Sequence, residues 1–152
     1  MKQLLVIFAL ICFGNSIAQD SFTSEDLKIT PLVEGTLLLP ETSEKPPLVI
    51  IIGGSGPTDR NGNQNMMKNN SLKFLAEALY KNGIASFRYD KRIVKIMKMG
   101  SMDEKKIKFD DFITDAITVT EHFKNDNRFG AIYIIGHSQG SLVGMIAAHN
   151  RA

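Results

Sequence analysis

Apolar residues follow two rhythms along this chain. In "LVIIIGG", Leu48 to Gly54, they are continuous and β-branched and end on glycines, which predicts a strand buried on both faces. "IASFRYD" (84–90) and "AIYII" (131–135) predict a second and a third strand of the same kind. In "SLKFLAEALYKNG", Leu72, Leu75, Ala76, Leu79 and Tyr80 return every three or four positions, the period of a helix with one apolar face. Asn70 or Ser71 can cap its start and Gly83 its end. "FDDFITDAITVTEHFKND" repeats that period through Phe109, Phe112, Ile113, Ala116, Thr120 and Phe123, with Asp110 and Asp111 near the positive end of the helix dipole. "GSLVGMIAAHNRA" begins a third helix. Upstream, residues 27–41 read as extended segments broken by Pro31 and Gly35, suited to antiparallel edge strands, with "TSEKPP" as the turn that follows. Residues 53–70 form a glycine- and asparagine-rich loop, and Lys91 to Lys108 reads as a basic, methionine-rich loop.

Strands alternating with helices predict an α/β fold with a mostly parallel sheet and helices on both faces. Ahead of it, "MKQLLVIFALICFGNSIAQD" carries Lys2, an apolar block from Leu4 to Phe13, and Ser16 and Ala18 at the spacing a signal peptidase accepts. Residues 1–18 are therefore expected to be a cleaved leader, and residues 19–152 the domain. Ten apolar residues fall well short of the roughly 20 that span a bilayer, so no stable membrane anchor is expected after cleavage. An exported protein follows, periplasmic or secreted. The one cysteine, Cys12, lies within the leader, so the mature chain has neither disulfide nor thiol chemistry. Loss of Lys2 leaves 17 basic against 16 acidic residues, a balance with no electrostatic footprint for nucleic acid. A small-molecule partner is expected.

The candidate chemistry sits in "GHSQG", Gly136 to Gly140, between the third strand and the third helix. A serine nucleophile must be lifted clear of the sheet on a strand-to-helix turn so sharp that only glycine fits close by, and Gly136 and Gly140 leave that room around Ser138. The amide of Gln139 is then one donor to the oxyanion that develops on an attacked carbonyl. The second donor is expected from the loop after the first buried strand, where Gly53, Gly54, Ser55 and Gly56 stand together; Ser55 N–H is the choice. A dinucleotide fingerprint fails here because the third glycine position is Asp59, and no glycine-lysine-serine or glycine-lysine-threonine ending marks a phosphate loop. No cofactor and no metal are called for.

Taken together, "EGTLLLP", "PLVIIIGGSGPTDRNGN", "SFRYDKR", "FDDFITDA" and "IYIIGHSQGSLVGMIAA" resemble the amino-terminal half of a bacterial α/β-hydrolase of the dienelactone-hydrolase and esterase type. The resemblance covers nearly all of the mature chain. It implies an acyl-enzyme mechanism in which Ser138 attacks an ester, a histidine relays the proton and an acidic residue orients that histidine.

The chain departs from that family after "RYDKR", where related esterases carry glycines and a serine and this sequence reads "IVKIMKMGSMDEKK". Ile93, Ile96, Met97 and Met99 could line an acyl pocket with Lys95 and Lys98 at its mouth, or pack a partly solvated loop against the domain. Asp90, Lys91 and Arg92 are expected to be structural and ion-paired. The triad order is Ser, then Asp or Glu, then His, yet no carboxylate follows Ser138. His149 lies eleven residues along the same helix, about 16 Å away at 1.5 Å per residue. His137 reads as a filler of the elbow and His122 as a surface residue. The expectation is an α/β-hydrolase fold truncated after the elbow helix, with acid and base outside this sequence. Acyl transfer, peptide hydrolysis and non-catalytic ligand binding on the same fold stay open.

Overall fold

The computed structural model describes residues 22–41, 45–100, 103 and 106–150; the expected leader and Cys12 lie outside them. Five strands form one sheet: β1 (Ser24–Lys28), β2 (Glu34–Leu38), β3 (Leu48–Ile52), β4 (Ala85–Tyr89) and β5 (Ile132–Gly136). Their order across the sheet is β1-β2-β4-β3-β5. β1 pairs antiparallel with β2 and β2 with β4, while β3 runs parallel to both β4 and β5. Helix α1 (Ser71–Lys81) joins β3 to β4, α2 (Arg92–Lys98) and α3 (Phe109–Lys124) join β4 to β5, and α4 (Gln139–His149) leaves β5.

All five residues of β3 are buried, as are all five of β4. Alternate side chains of β3 enter different cores, because successive residues of a strand point to opposite faces. Val49 and Ile51 pack with Leu38, Leu72 and Ala76 beneath α1. Leu48, Ile50 and Ile52 pack with Phe87, Ala116, Val119, Phe123, Val143 and Ala147 beneath α3 and α4. Helices therefore cover both faces. Asn70 caps α1 in a left-handed conformation, φ 53°, without a side-chain bond, and Gly83 closes the helix with φ 73° and an N–H to the Tyr80 carbonyl. Asp111 accepts from the Lys108 amide at 2.8 Å, which anchors the first turn of α3.

Three expectations need correction. Gly35 does not break a strand but lies inside β2, and β2 is flanked on both sides; a Cβ at Gly35 would run into the Phe87 ring and the Arg88 carbonyl, so the residue is a point of close strand approach. The segment after Lys91 is not all loop, since residues 92–98 form α2. Arg92 anchors its start through Asp111 at 3.0 Å and Asp115 at 2.6 Å, and Lys95 bonds Glu34 at 3.0 Å. β5 is not buried on both faces: Tyr133 is 56% exposed and Ile135 39%, because they lie on the face shared with Val49 and Ile51, where α1 packs over β4 and β2 and not over β5.

Beside the edge of β5 that is unpaired among the described residues runs a groove of about 710 Å³ between α3 and α4, lined by Ile132, Tyr133, Ile134, Met145 and Ala148 among others. Leu142 and Met145 are also exposed. An unpaired strand edge next to apolar surface templates association. Residues 19–152 expressed by themselves are expected to self-associate with rising concentration in sedimentation velocity. A soluble monomer with a cooperative, reversible melt would overturn this.

Candidate active site

The parallel register sets the site. Ile52 pairs with Gly136 at the ends of β3 and β5, so the loops that follow leave the sheet side by side at its carboxyl edge, where ligands collect in such folds. One loop is Gly53–Gly56; the other is the turn His137–Ser138. His137 N–H bonds the Ile52 carbonyl at 3.0 Å and ties the two together.

Ser138 has φ 53° and ψ −122°, a conformation that a residue with a Cβ seldom takes. Its side chain is exposed rather than sunk in the interior. Gly136 and Gly140 make the turn sterically possible. A Cβ on Gly136 would overlap the Gly140 carbonyl and the Ser141 amide, and one on Gly140 would overlap the carbonyls of Ile52 and Gly53. Ser141 Oγ donates back to the Gly136 carbonyl at 2.7 Å and braces the elbow. This last bond was not anticipated from the sequence.

The glycine-rich loop lies against the serine. A Cβ on Gly54 would stand 3.4 Å from Ser138 Cβ and 2.9 Å from His137 Nδ1. Gly56 takes φ 77° and turns the chain away. Thr58 Oγ1 and Gln64 Nε2 donate to the Ser55 carbonyl at 3.0 and 2.7 Å. Among the described residues, neither the Ser55 amide nor the Gln139 amide has an acceptor.

Around this centre the "YDKR" stretch sorts its charges. Asp90 accepts from the Arg60 amide at 2.7 Å and from its guanidinium at 2.9 Å, and Arg92 pairs with Asp115, so two of the three expected ion pairs form. Lys91 forms none among the described residues. Instead its Nζ donates to the Gly54 carbonyl at 2.8 Å and to Gln139 Oε1 at 2.7 Å, and sits 4.3 Å from the centre of the Phe112 ring. Burial pushes its ammonium down to about 8.

Burial by itself would raise the Asp90 carboxyl, but the bonds and charge of Arg60 outweigh it and hold the group below its ordinary value. A depressed carboxyl stabilises the fold above its unfolded pKa, near 4, and that contribution is lost as pH falls through the folded value. Asp90→Ala is expected to lower stability by about 2 kcal/mol at pH 7 and by much less near pH 2. Urea titrations at the two pH values measure the difference, and an equal loss at both would refute it.

The other candidates stand apart. Ile93 and Ile96 are half-buried, with Ile96 beside Arg92, Ile107 and Asp111; Met97 and Met99 are exposed, and Lys95 is taken up by Glu34. His122 is exposed with its ring edge on Phe123, and His149 ends α4. His137 is exposed and makes no hydrogen bond to Ser138 Oγ. Among the described residues, no group of histidine, cysteine and carboxylate side chains is placed to hold a metal ion, and no helix is long and apolar enough to cross a membrane.

No protein-family model matches the sequence. Over 126 residues the chain is 29% identical to Esterase EstD of Thermotoga maritima, covering 82% of this chain and 29% of that protein. Among solved structures it is similar to Est1E from Butyrivibrio proteoclasticus, with a TM-score of 0.59 and 22% identity over 86% of this chain and 46% of that one. It is also similar to a dienelactone hydrolase from Anabaena variabilis, with a TM-score of 0.63 and 18% identity over 86% of this chain and 58% of the other. The chain thus spans under a third of the esterase's length and about half that of the two structures. Strand order, the strained serine and these likenesses agree on the fold: the chain has the α/β-hydrolase fold, and its sequence is similar to that of an esterase.

Proposed function

We propose that the protein carrying this chain is a serine hydrolase of carboxylic esters, with Ser138 as nucleophile. One observation carries the reading: a non-glycine residue holds φ 53° at the tip of a parallel strand, with its hydroxyl side chain exposed. A turn that only joined β5 to α4 would be better served there by glycine. Likeness to a protein named as an esterase supports an ester as the substrate class.

In this mechanism Ser138 Oγ attacks the ester carbonyl while a general base takes its proton. The oxyanion faces the Ser55 and Gln139 amides, and collapse of the tetrahedral adduct expels the alcohol, which takes up that proton. Water then repeats the sequence on the acyl-enzyme and frees the acid. His137, His122 and His149 are not placed to serve as base, so we take base and orienting acid to come from polypeptide outside this chain. The partner is a small ester, no cofactor is required, and the leader assigns the protein to the periplasm or to secretion.

A fluorophosphonate probe is expected to label the full-length protein on the peptide that contains Ser138. Labelling that persists in Ser138→Ala would overturn the assignment. Short-chain esters are expected to turn over faster than matched peptides or thioesters, and without transfer to an added alcohol. A preference for peptides, or efficient transfer, would move the protein to a peptidase or acyltransferase of the same fold.

A further inference from the structure

We propose that Lys91 is a positioning residue for the oxyanion hole: its ammonium ties the Gly54 carbonyl to the Gln139 side chain and thereby aims the Ser55 and Gln139 amides at one point beside Ser138. Its role rests on the serine-hydrolase reading given above.

Lys91 follows β4 by two residues, at the same carboxyl edge from which the other two loops leave. It is 4% exposed. An ammonium taken out of water without a carboxylate is costly to hold, and filling space alone would be served better by methionine or leucine. Asp115 borders the same small cavity as Lys91, together with Tyr89 and Phe112, but its carboxylate is committed to Arg92. What Lys91 does hold is backbone and an amide.

The geometry gives that hold a direction. The Gly54 carbonyl and the Ser55 N–H belong to one planar peptide unit, and no peptide bond among the described residues is cis, so the two groups point opposite ways. Fixing the oxygen toward Lys91 turns the Ser55 N–H away from it. A positive charge at the oxygen end also polarises the unit and strengthens its N–H as a donor. Thr58 Oγ1 reaches the Gly54 carbonyl only at 3.5 Å, against 2.8 Å for Lys91, and donates mainly to the Ser55 carbonyl at 3.0 Å, where Gln64 Nε2 joins it at 2.7 Å. On the other side, the same ammonium holds Gln139, the first residue of α4, whose own N–H has no acceptor among the described residues. One cation therefore braces both donors, from behind.

Charge makes the device pH-dependent. Burial sets the ammonium near 8, so its charge is present below that pH and lost above it. The other titratable or charged groups around it are Asp115 of α3 paired with Arg92 of α2, Tyr89 of β4, which burial holds above its ordinary value, and His137 of the elbow.

The test uses full-length protein, a short-chain p-nitrophenyl ester and the fluorophosphonate probe. Lys91→Met is expected to lower kcat roughly 10- to 100-fold with KM within about two-fold of wild type, and to slow probe labelling by a similar factor. Wild-type kcat is expected to fall as pH rises through about 8. Lys91→Arg keeps the charge and is expected to restore most of kcat while moving that alkaline fall upward, which a merely structural lysine would not do. Should Lys91→Met not melt cooperatively, Gln139→Ala severs the brace from the elbow side, with an expected loss of about 3- to 10-fold in kcat. A wild-type kcat in Lys91→Met or, failing that, in Gln139→Ala would overturn the proposal, as would a loss confined to KM or an alkaline fall unmoved in Lys91→Arg. If the probe does not label wild type at Ser138, the serine-hydrolase reading fails instead; normal labelling of both wild type and Lys91→Met sinks the brace alone.

Discussion

In full-length protein, Ser138→Ala is expected to lower kcat for a short-chain ester by about 10⁴-fold or more, because the covalent step has no other nucleophile to take it. The companion variant Ser138→Gly is expected to be equally inactive and yet more stable than wild type, by about 1 kcal/mol. Ser138 sits at φ 53°, ψ −122°, where a Cβ is strained and glycine is not. Steady-state kinetics and urea unfolding of the same preparations check both parts. Activity lost together with stability gained is what a site that stores strain for function produces. Residual turnover within a factor of ten of wild type would remove Ser138 from the chemistry, and a less stable Ser138→Gly would mean that the strain is not there.

Gly140→Ala is expected to cost about 3 kcal/mol or more, or to prevent folding. The added methyl would meet the carbonyls of Ile52 and Gly53, which are backbone atoms at the end of β3 and not flexible side-chain tips. Relief requires α4 to move off β3, and that would carry the Gln139 amide away from the Gly53–Ser55 segment. Gly130→Ala is the control: its methyl would reach only the Lys45 carbonyl, at 3.4 Å, and a change within about 0.5 kcal/mol is expected. Thermal melts of the two variants give the comparison. Equal stability would mean that the elbow does not press against the sheet as described.

Much of this arrangement was legible in the residues. The unbroken β-branched run Leu48–Ile52, ending on glycines, read as a strand covered on both faces, and the three-and-four spacing from Leu72 to Tyr80 as an amphipathic helix, because each pattern buries most of its apolar side chains in that conformation. Two glycines around Ser138, between a strand and a helix, likewise marked a close-packed turn. The segment after Arg92 was less legible. Its lysines and methionines suggest no single face, and α2 depends on partners distant in sequence, Asp111 and Asp115 for Arg92 and Glu34 for Lys95. The pattern of β5 misled for a related reason. An apolar run reports a preference for burial, whereas burial itself depends on which neighbours are present.

Lys91 shows the division most clearly. In the string "RYDKR" it is one charge among several, with nothing to separate it from Asp90 or Arg92. By itself the sequence determined where β3, β4, α1 and α3 form, which residue stands at the elbow and that glycine is required on either side of it, since periodicity, chain stiffness and the size of a side chain are local properties. Only the tertiary structure decided that Arg60 and Arg92 take the carboxylates while Lys91 is left to grip a carbonyl and an amide. Those partners lie 37 and 48 residues from Lys91 along the chain. They meet because parallel strands deliver their loops to one edge of the sheet, and hydrogen bonding and desolvation depend on distance in space.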